Sequence, residues 1–167
     1  EPALLHALEE RLKPARVLIT FNGKSFDIPL LKSRFTLARR TWPLASVSHL
    51  DLLFPARRIW KLRLRDCRLG NLEKEILGDE RPEDVAGNLI PQIYFNYTRS
   101  GNPAGIRKIL KHNFRDIVTL ARLTLKVSEI LYGKEKTALF PEELFSVGSY
   151  FNQLGEREAA MDWNQAA

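Results

Sequence analysis

The sequence lacks the residues and segments that several classes of protein need. It has a single cysteine, Cys67, so neither an internal disulfide nor a zinc site built from several cysteines can form. That cysteine usage fits a reducing compartment and predicts a cytoplasmic protein. No apolar run approaches the roughly 20 residues that cross a bilayer, which predicts no membrane partner. The chain opens on Glu1 rather than on methionine, so the absence of a secretory signal carries little weight.

The composition is that of an ordinary globular protein. Hydrophobic residues make up 44% and charged residues 28% of 167 positions, which argues against disorder. This length suits one domain of typical size with a small appendage. The net charge of +6 favours a polyanionic partner.

Six basic residues lie close together between positions 57 and 68, where Asp66 is the single acid. They are Arg57, Arg58, Lys61, Arg63, Arg65 and Arg68. Such a cluster can follow the phosphates of a nucleic acid, and Trp60 among them is available to stack on a base. A solvated basic surface explains the same cluster, and the sequence leaves both interpretations open.

The first third of the chain alternates predicted helices and strands. Leucines at helical spacing predict an amphipathic helix over 4–12 that Pro14 stops. Buried strands are predicted over 17–21 and near 47–52. Ser25 is predicted to cap the intervening helix, whose apolar residues should face inward: Phe26, Leu30, Leu31 and Phe35. This order predicts an α/β fold with a parallel sheet and crossover helices.

Beyond Pro55 the pattern is helical throughout. Short helices are predicted near 55–63, 71–77, 91–99 and 103–111, and a long helix from about 112 to 131. The predicted buried face of the long helix is Ile117, Leu120, Leu123, Val127 and Leu131. A polar linker over 133–137 separates a first domain, residues 1–133, from a second, residues 138–167.

The second domain is predicted to be two short helices hinged at Gly155. Small and large residues there are spaced as in a tetratricopeptide repeat: Leu144, Gly148, Phe151, Gly155, Ala160 and Ala167. Asn164 departs from that pattern, although Trp163 beside it can take the apolar role. One repeat cannot bury its own face, so further repeats are expected after residue 167.

Two stretches carry residues suited to chemistry. The turn Asn22-Gly23 after the first strand leads to Asp27, which therefore lies at the carboxyl edge of the predicted sheet, where open α/β folds build their sites. His112 and Asp116 are four apart, so they share one face of a helix. A carboxylate can hold a hard cation and an imidazole can move a proton. Each feature also has a structural explanation, namely a helix N-terminal acid and a plain helical contact.

Together the two stretches resemble the second and third motifs of the DEDD exonuclease superfamily within the ribonuclease-H-like fold. More closely, residues 4–131 resemble the YprB-like branch of bacterial ribonuclease-H-like exonuclease domains, in which tetratricopeptide-type helices follow the nuclease domain. The matching segments are Thr20-Phe21-Asn22-Gly23, Phe26-Asp27-Ile28-Pro29-Leu30-Leu31, His49-Leu50-Asp51-Leu52-Leu53, Pro55-Ala56-Arg57-Arg58, Leu72-Glu73 with Leu77-Gly78, and His112-Asn113 with Asp116.

This resemblance implies the C-terminal part of a ribonuclease-H-like fold, with a mixed sheet and flanking helices. It also implies a metal-dependent 3′→5′ exonuclease for single-stranded DNA or RNA, in which four carboxylates hold two Mg²⁺ or Mn²⁺ ions. Asp27 and Asp116 would be metal ligands, and His112 would orient or deprotonate the attacking water. Asn22 and Phe26 would shape the pocket, Phe26 as a core residue. Arg57, Arg58, Lys61, Arg63 and Arg65 would contact phosphates.

The sequence departs from the family pattern in two places. The first motif, an Asp-x-Glu, is absent and is expected on a strand upstream of Glu1, so these residues alone are expected to be inactive and marginally stable. Three residues separate His112 from Asp116, the spacing of the subgroup that uses tyrosine. In the histidine subgroup the histidine lies one residue earlier, where this chain has Lys111. Asp51 is interpreted as structural rather than as a further ligand.

The sequence leaves open two functions of other classes. One is a non-catalytic nucleic-acid-binding module that keeps the fold and the basic cluster without a metal site. The other is a scaffold that binds a protein partner through its helical repeat.

Overall fold

The computed structural model describes residues 1–80, 85, 87–133 and 136–166. Ala167 of the predicted repeat pattern and positions 134 and 135 of the predicted linker lie outside these residues. Within them the chain is a mostly helical α/β protein with a small parallel sheet, as predicted. The strands are β1 (Val17–Thr20) and β2 (Ser48–Asp51). The α-helices are α1 (Pro2–Leu12), α2 (Asp27–Leu37), α3 (Leu53–Trp60), α4 (Leu69–Leu77), α5 (Ile90–Ser100), α6 (Ala104–Leu131), α7 (Pro141–Gln153) and α8 (Arg157–Gln165).

The two strands pair in parallel, with Val17 opposite Ser48 and Thr20 opposite Asp51. Helix α2 makes the crossover between them, which confirms the predicted α/β connection. The prediction that the first strand is buried is wrong. Val17 is 55% exposed and the rest of β1 is half-buried. Ile19 is the residue of the strand that packs against the main core.

Helix α2 begins at Asp27 and is not capped by Ser25, contrary to the prediction. Its N-cap residue is Phe26, and no side chain closes the helix end. Phe35 is fully buried and its ring meets Trp42 edge to face. Phe26 is 68% exposed and Leu30 is also exposed, so the inward placement of these two residues is wrong. Phe26 precedes the helix, and Leu30 lies about 140° around it from Phe35 at 3.6 residues per turn.

The main core lies where α3, α4, α6 and the last two helices meet. Its fully buried members include Ile59, Leu72, Leu123 and Val147. Trp60 belongs to this core and is 1% exposed, so the prediction that it stacks on a nucleic-acid base is wrong. The tryptophan side chain is large and mostly apolar. Burying it in the core removes more apolar surface from water than stacking it on a base at the protein surface would.

Helix α6 runs without interruption for 28 residues, whereas two helices meeting near residue 112 were predicted. Between Ile106 and Leu131 the sequence contains no proline or glycine to break it. Its buried residues are Thr119, Leu123, Val127 and Ile130. Ile117 is 58% exposed, so its predicted burial is wrong, whereas that of Leu123 and Val127 is confirmed.

Helices α7 and α8 form a two-helix unit, as predicted. The rings of Phe151 and Trp163 stack with centroids 6.5 Å apart. Gly148 lets the helices approach closely, because a Cβ atom there would lie 2.2 Å from Oδ1 of Asn164. Asn164, which departs from the repeat pattern, packs directly against Gly148 at this close approach. Membership of the tetratricopeptide class stays a prediction.

Candidate active site and nucleic-acid interface

The turn that follows β1 is held by the carboxylate of Asp51 at the end of β2. The backbone N–H of Asn22 donates to Oδ1 at 2.7 Å, and that of Lys24 donates to Oδ2 at 2.8 Å. The N–H of Leu53 donates to Oδ1 at 3.2 Å. Asp51 is 2% exposed, so its charge is satisfied by backbone donors. The interpretation of Asp51 as a structural residue is therefore confirmed.

Asp27 emerges from this turn as the first residue of α2. Its side chain is exposed, and it is the acidic residue in the first turn of the helix. Gly23 makes the turn possible, because a Cβ atom there would lie 2.5 Å from Cβ of Thr20. Asn22 is also exposed and adopts a left-handed conformation, with φ of 62°. The turn thus presents Asn22 and Asp27 to solvent.

His49 of β2 contacts the last residue of β1, next to this turn. Nε2 of His49 and Oγ1 of Thr20 are 2.8 Å apart, in hydrogen-bond contact. Burial lowers the pKa of His49, and the positive charge of Lys24 lowers it further. The ring is therefore neutral at neutral pH and serves as a hydrogen-bonding group next to β1.

His112 and Asp116 meet on one face of α6. Nε2 of His112 lies 3.3 Å from Oδ2 of Asp116, and both side chains are partly buried, 21% and 31% exposed. The contact orients the imidazole toward the carboxylate. A carboxylate and an imidazole in contact can hold a cation or move a proton. The structure thus brings together two of the three predicted catalytic residues.

The basic cluster divides into two groups. One group is exposed and has no ion-pair partner among the residues that the structure describes. Its members are Arg57 and Lys61, one turn apart on α3 and at its C-cap, and Arg65 and Arg68 beyond them. Arg58 and Arg63 instead reach α7. Nη1 of Arg58 donates to Oε1 of Gln153 at 2.5 Å, and Nε of Arg63 donates to Oε1 of Glu143 at 2.7 Å.

Arg58 and Arg63 also contact aromatic rings of α7 and of the residue that precedes it. The guanidinium of Arg63 lies 4.5 Å from the ring centroid of Phe140, and that of Arg58 lies 4.9 Å from that of Tyr150. Cation–π contacts of this kind add to the ion pair. Arg58 and Arg63 therefore anchor the two-helix unit on α3.

Comparison with known families decides the class of protein. The family described as the RNase_H superfamily matches residues 1–128. The chain belongs to this superfamily. Its members are mostly nucleases, that is, hydrolases that act on nucleic acid, and they generally use divalent metal ions. The match spans β1, β2, the turn with Asp27 and the part of α6 that carries His112 and Asp116.

A curated relative confirms the predicted resemblance to YprB. The uncharacterized protein YprB of Bacillus subtilis (strain 168) is 35% identical over 145 residues, which are 86% of this chain. The chain spans about a third of the length of that relative, 35%. No solved structure matches the chain significantly.

The divalent ions that RNase_H superfamily nucleases use would need more ligands than Asp27 and Asp116 alone supply. Asp27 and Asp116 offer the oxygen donors that Mg²⁺ and Mn²⁺ prefer. No group of three or more His, Cys, Asp or Glu side chains within the described ranges is arranged to hold a metal ion. Two carboxylates balance only half the charge of two divalent ions. The described residues therefore do not form a complete two-metal site.

One weak signal in the sequence points to the contacts that divide the basic cluster. Phe140-Pro141-Glu142-Glu143 is typical of a helix start, and the N–H of Phe140 does donate to Oε2 of Glu143 at 3.1 Å. The second oxygen of Glu143 is thereby left for Arg63, a partner 80 positions away. No local pattern identifies such a partner.

None of the helices in the described ranges is both long and apolar enough to cross a membrane.

Proposed function

We propose that the full-length gene product is a 3′→5′ exonuclease that removes nucleotides from single-stranded DNA or RNA. Asp27 and Asp116 are the proposed metal ligands, and His112 is the proposed residue that handles the proton of the attacking water. The observation that carries this proposal is the contact of His112 with Asp116 on α6, 3.3 Å between Nε2 and Oδ2, in a chain of the RNase_H superfamily.

The proposal sets two requirements on the site. Carboxylates that share two ions should lie within roughly 8 Å of each other, so Asp27 and Asp116 must meet that limit in the complete site. Further carboxylates must come from outside the residues described here. Mg²⁺ or Mn²⁺, when bound, would supply Lewis acidity at the scissile phosphate. The residues of this chain supply oxygen ligands, an oriented imidazole and cationic contacts to the strand.

The nucleic-acid interface of the proposed enzyme is the exposed part of the basic cluster. Arg57, Lys61 and Arg65 are the proposed phosphate contacts because they are exposed and unpaired among the described residues. Asn22 is a further proposed contact, at the exposed turn that leads to Asp27. Arg58 and Arg63, predicted from the sequence to bind phosphate, are assigned instead to the contact with α7.

Degradation of end-labelled oligonucleotides tests the activity. With Mg²⁺ or Mn²⁺, a 5′-labelled single strand should shorten stepwise, a 3′-labelled strand should lose its label first, and excess chelator should stop both reactions. A circular single strand is the matched control and should survive. Cutting of the circle would identify an endonuclease. Binding without cleavage under every metal condition would favour the non-catalytic nucleic-acid-binding module.

The salt dependence of binding tests the interface. Changing Arg57 and Lys61 together to alanine should weaken binding of all single-stranded sequences alike. It should also flatten the slope of log K against log salt by roughly 0.7 for each lost phosphate contact. Turnover at saturating substrate should change little, because these groups do not meet the reacting phosphate. Arg157→Ala on α8 is the matched control, and an equal loss of slope in that variant would contradict the assignment.

The two-helix unit has a separate proposed role as a site for protein contacts. Phe145, Leu154 and Met161 remain exposed on α7, α8 and their connection, although apolar residues of helical repeats usually pack on the next unit. We propose that tetratricopeptide-type repeats or a protein partner cover this surface in the full-length gene product. The proposed compartment is the cytoplasm, whose reducing conditions suit a chain with one buried cysteine.

A further inference from the structure

Asp51 lies where three segments of the chain meet. Its carboxylate accepts the N–H groups of Asn22 and Lys24 from the turn after β1, and that of Leu53 from the start of α3. The next residue, Leu52, extends the sheet by donating its N–H to the carbonyl of Thr20 at 2.8 Å. A buried carboxylate with backbone donors on both oxygens fixes the relative position of all three segments.

The turn that Asp51 holds determines where α2 begins. The N–H of Phe26 donates to the carbonyl of Asn22 at 3.2 Å, and the N–H of Ile28 donates to that of Gly23 at 2.9 Å. Asp27 stands between these two donors, so its backbone follows any shift of the turn. Asn22 has φ of 62°, in the left-handed region that asparagine adopts more readily than most residues, so this position suits the turn.

The third hydrogen bond of Asp51 connects the same turn to the start of α3, the helix that carries Arg57. Leu53 is the first residue of α3, and Arg57 follows it one turn later. Lys24 adds a contact in the same direction, with Nζ 5.7 Å from the ring centroid of Phe54. One carboxylate therefore sets the distance between the segment with the proposed metal ligand and the helix with the proposed phosphate contacts.

We propose that Asp51 is a positioning residue of the nuclease, which places Asp27 for catalysis without contacting substrate. This inference rests on the proposed function. Groups that hydrogen-bond directly to metal ligands typically affect activity by roughly tenfold to a hundredfold; Asp51 acts on Asp27 through the backbone of the turn, and an effect of about the same size is expected. Asp51→Asn keeps one acceptor oxygen and turns an amide N–H₂ toward one of the backbone donors, so it weakens one side of the hydrogen-bonded junction. Asp51→Ala removes both acceptors.

The test compares these variants in the full-length gene product at a temperature where all are folded. The rate at saturating substrate should fall roughly tenfold to a hundredfold for Asp51→Asn and further for Asp51→Ala, with KM nearly unchanged. Gly23→Ala should lower the rate as well, because the added methyl group displaces the same turn from Thr20. Leu144→Ala is the control: it removes a buried side chain of α7 and costs stability without touching the turn.

Backbone hydrogen exchange supplies a readout that does not depend on cleavage. Exchange over residues 22–28 should accelerate in both Asp51 variants and stay unchanged in Leu144→Ala. Faster exchange with an unaltered rate of cleavage would overturn the positioning role, and so would an equal rate loss in Leu144→Ala. Unaltered exchange would overturn the role of Asp51 in holding the turn. If the wild type does not cleave, the proposed function fails, and exchange alone decides whether Asp51 holds the segment of Asp27.

Discussion

Asp116→Asn should abolish cleavage of single-stranded nucleic acid by the full-length gene product while leaving binding nearly intact. The substitution removes a negative charge and an oxygen ligand from the proposed metal site, and it weakens the contact that orients His112. Loss of a group that acts in the transition state lowers the rate at saturating substrate, here by roughly a thousandfold or more. Affinity measured in Ca²⁺ should remain similar, because the proposed phosphate contacts lie on and just after α3 and in the turn after β1, outside α6.

A matched control for this variant is Glu129→Gln. Glu129 is exposed on the same helix, α6, and the substitution removes the same charge from a position outside the proposed site. Its rate should stay within about twofold of the wild type, since exposed surface substitutions are usually close to neutral. An Asp116→Asn protein that degrades the same oligonucleotides at the wild-type rate would show that the active site lies elsewhere.

The secondary structure could be predicted from the sequence because its signals are local. A β-rich run followed by Asn22-Gly23 indicates a strand and a turn, and proline at position 14 ends the preceding helix. The order of helices and strands then limits the connection to a parallel crossover. The juxtaposition of His112 and Asp116 follows from the helical period alone.

Burial could not be predicted to the same extent, because it depends on which elements face each other. Trp60 and Ile117 both lie in helices with apolar and charged residues mixed. Trp60 faces the core and Ile117 faces solvent, and the difference depends on helices distant in sequence. Similarly, Phe26 belongs to an apolar segment but lies in a turn before α2, outside the face that packs on Trp42.

The sequence also could not predict which members of the basic cluster are available to bind phosphate. Arg57 and Arg58 are neighbours in sequence, but they point to different surroundings because consecutive residues of a helix lie about 100° apart at 3.6 residues per turn. Both are exposed, but Arg58 contacts Tyr150 and Gln153 of α7, whereas Arg57 has no ion-pair partner among the described residues. The sequence predicted a basic surface, and the packing of α7 on α3 determines which of its members can reach a phosphate.

Arg63→Met should destabilise the protein strongly, whereas Arg57→Met should not. Arg63 is 18% exposed and its partner Glu143 only 3%, so removing the guanidinium leaves a carboxylate buried without its countercharge. Breaking such a pair costs roughly 3–5 kcal/mol of unfolding free energy, and the partial exposure of Arg63 places the expected loss at the lower end, about 3 kcal/mol. Arg57→Met should stay within about 0.5 kcal/mol. Urea unfolding followed by circular dichroism measures both.

The double variant Arg63→Met, Glu143→Leu identifies the source of that loss. Replacing a buried ion pair with apolar residues is often nearly neutral, so the second substitution should restore much of the stability that the first removes. The N–H of Phe140 loses its acceptor on Glu143 in this variant, and about 1 kcal/mol of the loss should therefore remain. If Arg63→Met instead left stability unchanged but weakened binding of single strands as much as Arg57→Met, Arg63 would belong to the nucleic-acid interface and the contact with α7 would not anchor the two-helix unit.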